Sequence, residues 1–150
     1  MRCRNVAQLL LVGVALSGVI TACGSSGSGG SAASAIKTNW ETFFNPKTPV
    51  AKRVSLLQNG PAFESWIRAQ AKSPLAASTS ATVSRVTHIT GNQARVTYSI
   101  RAGGTPVLRN KTGVAVYHDG VWQVGDASFC DLLALENHGS ATKLPSYCKV

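Results

Sequence analysis

The chain has 150 residues, with 15 Lys and Arg against 6 Asp and Glu, which gives a formal net charge of +9 at pH 7. This length suffices for one domain with a hydrophobic core and excludes a second domain of ordinary size. The basic residues are scattered along the chain without a long run, so the charge alone points to no specific polyanion site.

The N-terminal segment has the pattern of an export signal. Arg2 and Arg4 precede a run of fifteen mostly apolar residues, 6–20. This run is shorter than the roughly 20 residues that span a bilayer and matches the apolar region of a signal peptide. It ends in Ile20-Thr21-Ala22-Cys23, which resembles a bacterial lipobox. The sequence therefore predicts a signal peptide over 1–22 and a diacylglycerol group on the sulfur of Cys23.

Residues 24–34, "GSSGSGGSAAS", are small, uncharged and rich in Gly and Ser. Such a segment behaves as a random coil, and eleven residues reach on the order of 20 Å. With the lipidated Cys23 it forms a predicted flexible linker over 23–34. Two or more acyl chains attach a protein stably to a bilayer. We therefore expect a lipid-anchored protein on the extracytoplasmic face of the cell membrane.

Removal of Arg2 and Arg4 with the signal peptide leaves 13 basic and 6 acidic side chains, a net charge of +7. An exported protein does not meet nucleic acid, so we expect no nucleic-acid partner. Arg95, Arg101 and Arg109 are candidates to contact anionic lipid or an anionic envelope glycopolymer. A solvated face of the sheet is the favoured explanation of these three arginines, and contact with an anionic partner stays open at this point.

Cysteine use agrees with export. Cys3 leaves with the signal peptide and Cys23 carries lipid, so Cys130 and Cys148 remain as a pair. In an oxidising compartment they are expected to form a disulfide. It would close a loop of about 18 residues and stabilise the domain by roughly 3 kcal/mol.

The first half of the domain shows helical periodicity. "SAIKTNWETFFNP" places its apolar residues on one helix face, with Ser34 as the expected N-cap. "TPVAKRVSLLQNG" predicts a second helix with Thr48 as N-cap and Pro49 at the first helical position. "PAFESWIRAQAKSP" predicts a third helix that Pro74 ends.

The second half changes to the period of strands. "QARVTYSIRA" alternates between apolar and polar residues, as in a half-buried antiparallel strand, and the β-branched "SATVSRVTHIT" precedes it. Asp119-Gly120 predicts a tight hairpin between "GVAVYH" and "VWQVGD". The predicted class is therefore α+β, one domain over 35–150 with three N-terminal helices packed on a curved four-stranded antiparallel sheet.

Three features carry a resemblance to a known family: "NWETFFNPKTPVAKRVSLLQNG", "VYHDGVWQVGDASFCDLL" and the late cysteine, Cys148. Together they resemble the low-molecular-weight secreted antigens of mycobacteria. The resemblance implies the cone-shaped fold of the nuclear-transport-factor-2-like superfamily, an exported or lipid-anchored envelope protein, and a disulfide. It implies no established enzymatic activity and no catalytic residues.

Two classes of function remain. Asp126 and His88 are the best candidates for an Asp–His acid–base pair in the cone, which would make the protein a small hydrolase or isomerase. No nucleophile motif accompanies them, and the three widely spaced histidines predict no metal site. We therefore favour a non-enzymatic binding module that needs no cofactor.

The aromatic side chains of Trp40, Phe44, Trp66 and Trp122 either fill the core or line a pocket for an apolar ligand. An envelope protein is the other expected partner of a binding module.

Overall fold

The computed structural model describes residues 28–74, 76–137 and 144–148. The predicted signal peptide, Cys23 and the start of the linker lie outside the described residues. Within these ranges, four α-helices and four strands form an α+β arrangement. They are α1 (Ser28–Phe44), α2 (Val50–Ser55), α3 (Glu64–Gln70), β1 (Thr79–Thr90), β2 (Gln93–Ala102), β3 (Thr105–His118), β4 (Val121–Val124) and α4 (Asp126–Glu136).

Helix α1 begins at Ser28, six residues before the expected N-cap at Ser34. The predicted start is wrong, and residues 28–34 of the predicted linker are helical. Residues 28–35 contain three alanines, which favour a helix, and two glycines, each of which disfavours it by about 1 kcal/mol, so propensity alone does not explain the longer helix. Ala32 also packs against the core, so this extra turn has a tertiary contact.

Helix α2 begins one residue later than predicted, with Pro49 at the N-cap and no side-chain cap. Thr48 does not cap it, because its hydroxyl donates a hydrogen bond of 2.7 Å to the carbonyl of Thr42. The third predicted helix divides into a 3₁₀ turn, Gly60–Phe63, and helix α3.

The four strands form one antiparallel sheet in the order β1-β2-β3-β4. Strand β2 covers the predicted segment, with Ala94, Val96, Tyr98 and Ile100 buried on one face. The hairpin at Asp119-Gly120 is confirmed, since φ is 48° at Asp119 and 79° at Gly120, as a type I′ turn requires. Register shifts interrupt the β1–β2 and β2–β3 ladders, and such bulges bend strands.

Helix α1 crosses the outer strand β1 and occupies its free backbone groups at Val83. The N–H of Val83 donates to Oε1 of Glu41 at 3.0 Å, and Nζ of Lys37 donates to the carbonyl of Val83 at 3.2 Å. Lys37 and Glu41 form an ion pair with each other at 3.5 Å. The pair therefore satisfies both backbone groups that Val83 turns away from β2.

The opposite edge of the sheet is covered by the chain that follows α2. The N–H of Gln58 donates to the carbonyl of Val124 at 2.9 Å, and the N–H of Val124 donates to the carbonyl of Leu56 at 2.8 Å. These two bonds place the end of α2 beside β4.

Helix α4 is absent from the sequence prediction. It packs Phe129 and Leu133 into the core, where both are buried. Its Cys130 is bonded to Cys148 in the predicted disulfide, with 5.3 Å between the two Cα atoms. The pairing is confirmed, and it fixes the segment 144–148 to α4.

Candidate functional site

A small cavity lies where the four helices meet the ends of β1 and β2. Its volume is about 70 Å³. Most of its lining is apolar, contributed by Phe43, Phe44, Ile67, Ile100, Phe129, Leu132 and Leu133. Arg53, Gln70 and Thr79 are the polar side chains on its wall. A mainly apolar cavity with a few polar groups is the usual form of a small-ligand site.

Arg53 is the unusual member of this lining, because the residue is only 9% exposed. Its Nη2 donates a hydrogen bond of 2.8 Å to the carbonyl of Asn45, just beyond the end of α1. Its Nε is buried without a hydrogen-bond partner. No carboxylate of the described residues forms an ion pair with it. Arg53 is therefore a buried cation that has one hydrogen bond to the chain and no ion pair within the described residues.

Burial lowers the pKa of the Arg53 guanidinium from its ordinary value. An arginine side chain nevertheless keeps its proton in proteins, so the cavity wall carries a full positive charge. Removing such a charge from water is unfavourable unless an anion or several acceptors replace the lost hydration.

Sequence reasoning missed Arg53, although a signal was present. In the segment "TPVAKRVSLLQNG", the helical period places Val50, Val54 and Leu57 on one inward face, and Arg53 lies three residues after Val50 on that same face. A cation at an apolar position of a helix marks either a side chain that extends to solvent or a buried charge.

The four predicted pocket residues have different environments. Phe44 lines the cavity. Trp40 and Trp122 are buried in the core at 1% and 8% exposure, and the structure places neither of them on the cavity wall. Trp66 is half-buried and lines an open groove of about 380 Å³. That groove shares Gln70, Ala76 and Leu133 with the cavity and therefore adjoins it.

The structure does not bring His88 and Asp126 together. His88 is exposed on β1 with φ of 51°, and Asp126 begins α4 directly after β4. Strands β2 and β3 lie between them, which corresponds to about 14 Å at the usual strand spacing. The carboxylate of Asp126 accepts hydrogen bonds from Nδ2 of Asn59 and from the N–H of Ala127, both at 2.7 Å.

The arginines predicted for anionic partners lie on the outer surface of the sheet. Arg95 and Arg101 of β2 and Arg109 of β3 are all exposed. Nε of Arg101 donates to the carbonyl of Gly104 at 3.1 Å. The outward direction of Arg95 and Arg101 follows from the alternation of β2, whose other face is buried.

Two features are absent from the ranges that the structure describes. None of the helices there combines the length and the apolar character needed to cross a bilayer. No three His, Cys, Asp or Glu side chains within these ranges lie close enough together to hold a metal ion.

Comparison with protein families identifies the chain. A family described as "low molecular weight antigen MTB12, C-terminal domain" matches residues 30–140. The chain belongs to this antigen family. A search of curated proteins finds no match. The part matched to the MTB12 antigens runs from the first turn of α1 past the end of α4, so it includes Arg53 and the cavity around it. Cys23 and Cys148 lie outside the matched residues.

Proposed function

We propose that this member of the MTB12 antigen family is an exported lipoprotein, anchored by a lipid on Cys23 to the extracytoplasmic face of the cell membrane. Its domain acts there as a non-enzymatic binding module. The signal-like residues 1–22 and the lipobox-like sequence before Cys23 support the anchor. The secreted-antigen family supports a place outside the cytoplasm.

The observation that carries the binding function is the apolar cavity with the buried Arg53. A domain that needed only stability would replace a buried cation by an apolar side chain of similar volume, which is often neutral or stabilising. A charge kept at this position is explained by a ligand that enters the cavity. We also propose that the bent sheet and the helices around the cavity form a nuclear-transport-factor-2-like cone.

The enzymatic alternative, a hydrolase or isomerase, has less support. An acid and a base must lie within hydrogen-bond reach of one reacting group. Asp126 is already bonded to Asn59 and Ala127, and His88 is exposed on the far strand.

The exposed Arg95 and Arg101 suit a second, weaker role against anionic lipid or glycopolymer near the anchor. Such a role would orient the tethered domain on the envelope and leaves the cavity to its own ligand.

Native mass spectrometry of the protein purified from its own envelope tests the proposal. We expect acyl groups on Cys23 and a bound molecule that dissociates on unfolding. Protein that carries neither acyl groups nor a bound molecule would contradict it. A turnover activity lost in the Asp126→Asn variant would favour the enzyme instead.

A further inference from the structure

We propose that the Arg53 cavity binds a small amphiphilic anion, with a carboxylate or phosphate head on the guanidinium and an aliphatic chain against the apolar wall. This inference deepens the proposed binding function and rests on it, since it names the chemical class of the ligand.

The charge of the cavity argues for an anion. A guanidinium has five N–H donors, and within the described chain the Arg53 group uses Nη2 for Asn45 while Nε stays unsatisfied. Carboxylate and phosphate oxygens match the planar donor pair of arginine and form its strongest hydrogen bonds. An anionic head would supply the missing acceptors and neutralise the buried charge in one step.

A purely structural role for Arg53 is the main alternative, in which the side chain only holds the end of α1. The carbonyl of Asn45 does not depend on Arg53, because the N–H of Thr48 also donates to it at 3.0 Å. Loss of the guanidinium would therefore leave that carbonyl with a backbone partner.

The remaining wall defines the rest of the ligand. Phe43, Ile67, Ile100, Phe129 and Leu133 present aromatic and aliphatic surface without charge. Gln70 and Thr79 add two uncharged polar side chains to this wall. The wall therefore favours a mainly hydrocarbon chain and disfavours a second charged group, which would lose its hydration there.

The size of the cavity limits how much of the chain lies inside. A dry cavity of about 150 Å³ admits the six carbons of benzene, so about 70 Å³ admits roughly three non-hydrogen atoms, the size of a carboxylate head. A longer chain would continue into the adjoining groove beside Trp66. The ligand class is therefore a medium-chain acid or phosphate monoester, with its head at Arg53 and its chain along the groove.

Calorimetric titration of the full mature chain tests this with four probes: octanoate, octyl phosphate, octanol and acetate. We expect one equivalent of octanoate or octyl phosphate to bind at least tenfold more tightly than octanol, because a charged hydrogen bond forms with the first two alone. The tighter of the two anions tells whether a free acid or a phosphorylated lipid is the source. Acetate has the head without the chain and should bind more weakly than either.

Arg53→Met removes the cation and keeps an unbranched apolar side chain. In this variant both anions should lose about 10- to 100-fold in affinity and fall to the level of octanol, whose own affinity stays unchanged. Arg53→Lys keeps the positive charge without the planar pair of N–H donors, and its affinity for both anions should fall less than that of Arg53→Met. Lys52→Met is the matched control, since Lys52 is exposed on the same helix and its change in net charge is identical.

Octanol that binds the wild type as tightly as octanoate would overturn the inference, and this comparison needs no folded variant. Anion affinity that persists in Arg53→Met would also overturn it. A neutral molecule found by native mass spectrometry would leave the binding function intact and refute the anionic ligand alone. The ligand-free Arg53→Met protein should also melt no lower than the wild type, whereas a structural role predicts a fall.

Discussion

The indole of Trp40 lies directly against Gly113, so that a Cβ added at Gly113 would stand 2.8 Å from Cη2 of Trp40. The same Cβ would stand 2.8 Å from Oγ of Ser128, which accepts a hydrogen bond of 3.0 Å from the N–H of Val114. Gly113 thus allows α1 and α4 to approach β3 together.

Gly113→Ala should therefore destabilise the domain by about 1–3 kcal/mol, the usual effect of overpacking a filled core. The measurement is urea unfolding followed by tryptophan fluorescence. Gly30→Ala is the control, since its Cβ meets nothing within 4 Å and it lies in the first turn of α1. It should raise stability by up to about 1 kcal/mol. Equal effects of the two substitutions would contradict this packing.

Loss of the disulfide should lower stability by about 3 kcal/mol, because the bond closes an 18-residue separation between Cys130 and Cys148. Cys148→Ser and the double variant Cys130→Ser/Cys148→Ser should unfold at similar urea concentrations. Reductant should destabilise the wild type and leave the double variant unchanged. A reductant effect on the double variant would show that the bond is not the cause.

Cys23→Ala should abolish lipidation and move the protein from the detergent phase to the aqueous phase in a Triton X-114 partition. The physical reason is the loss of the acyl chains, each buried methylene of which contributes about 0.8 kcal/mol of membrane affinity. Cys3→Ala serves as the control and should partition like the wild type, because Cys3 lies in the predicted signal peptide. Unchanged mass and partition of the Cys23 variant would refute the anchor.

Burial of Tyr98, with a smaller contribution from the charge of Asp131, raises the pKa of its phenol from 10.0 to about 12. The folded state therefore holds this proton more tightly than the unfolded state does. Its stabilising effect is complete below pH 10 and is lost progressively as the pH rises towards about 12. Tyr98→Phe should flatten this part of the pH dependence in urea unfolding at constant ionic strength. The same slope in both proteins would assign it to other groups.

Strand β2 could be predicted from sequence because apolar and polar residues alternate strictly over its ten residues. In a strand, this alternation places all the apolar side chains on one face, which must be the buried one. Helix α4 could not, because in "DASFCDLLALE" the apolar residues surround the helix instead of forming one stripe. Such a helix is recognised only from the surfaces that cover it, here the core on one side and the disulfide-linked segment on another.

The candidate site was beyond prediction for a related reason. Periodicity shows that Trp40 and Phe44 face inward, but it does not show how much of the space between helices and sheet their rings fill. The cavity exists because Phe43, Ile67 and Phe129, from three different helices, meet without closing the space beside Arg53. The space that these side chains leave unfilled depends on how the helices pack, and α4 completes that packing.

An unpaired outer strand is a template on which other molecules can add strands, and the consequence is polymerisation through the sheet edge. Here the ion pair of Lys37 and Glu41 on α1 occupies the donor and the acceptor that Val83 would offer to such a strand. A second strand would have to displace two charged side chains before its first hydrogen bond at that point. Crowded copies of the protein should therefore not pair with one another through β1, because one turn of α1 blocks this point of the sheet edge.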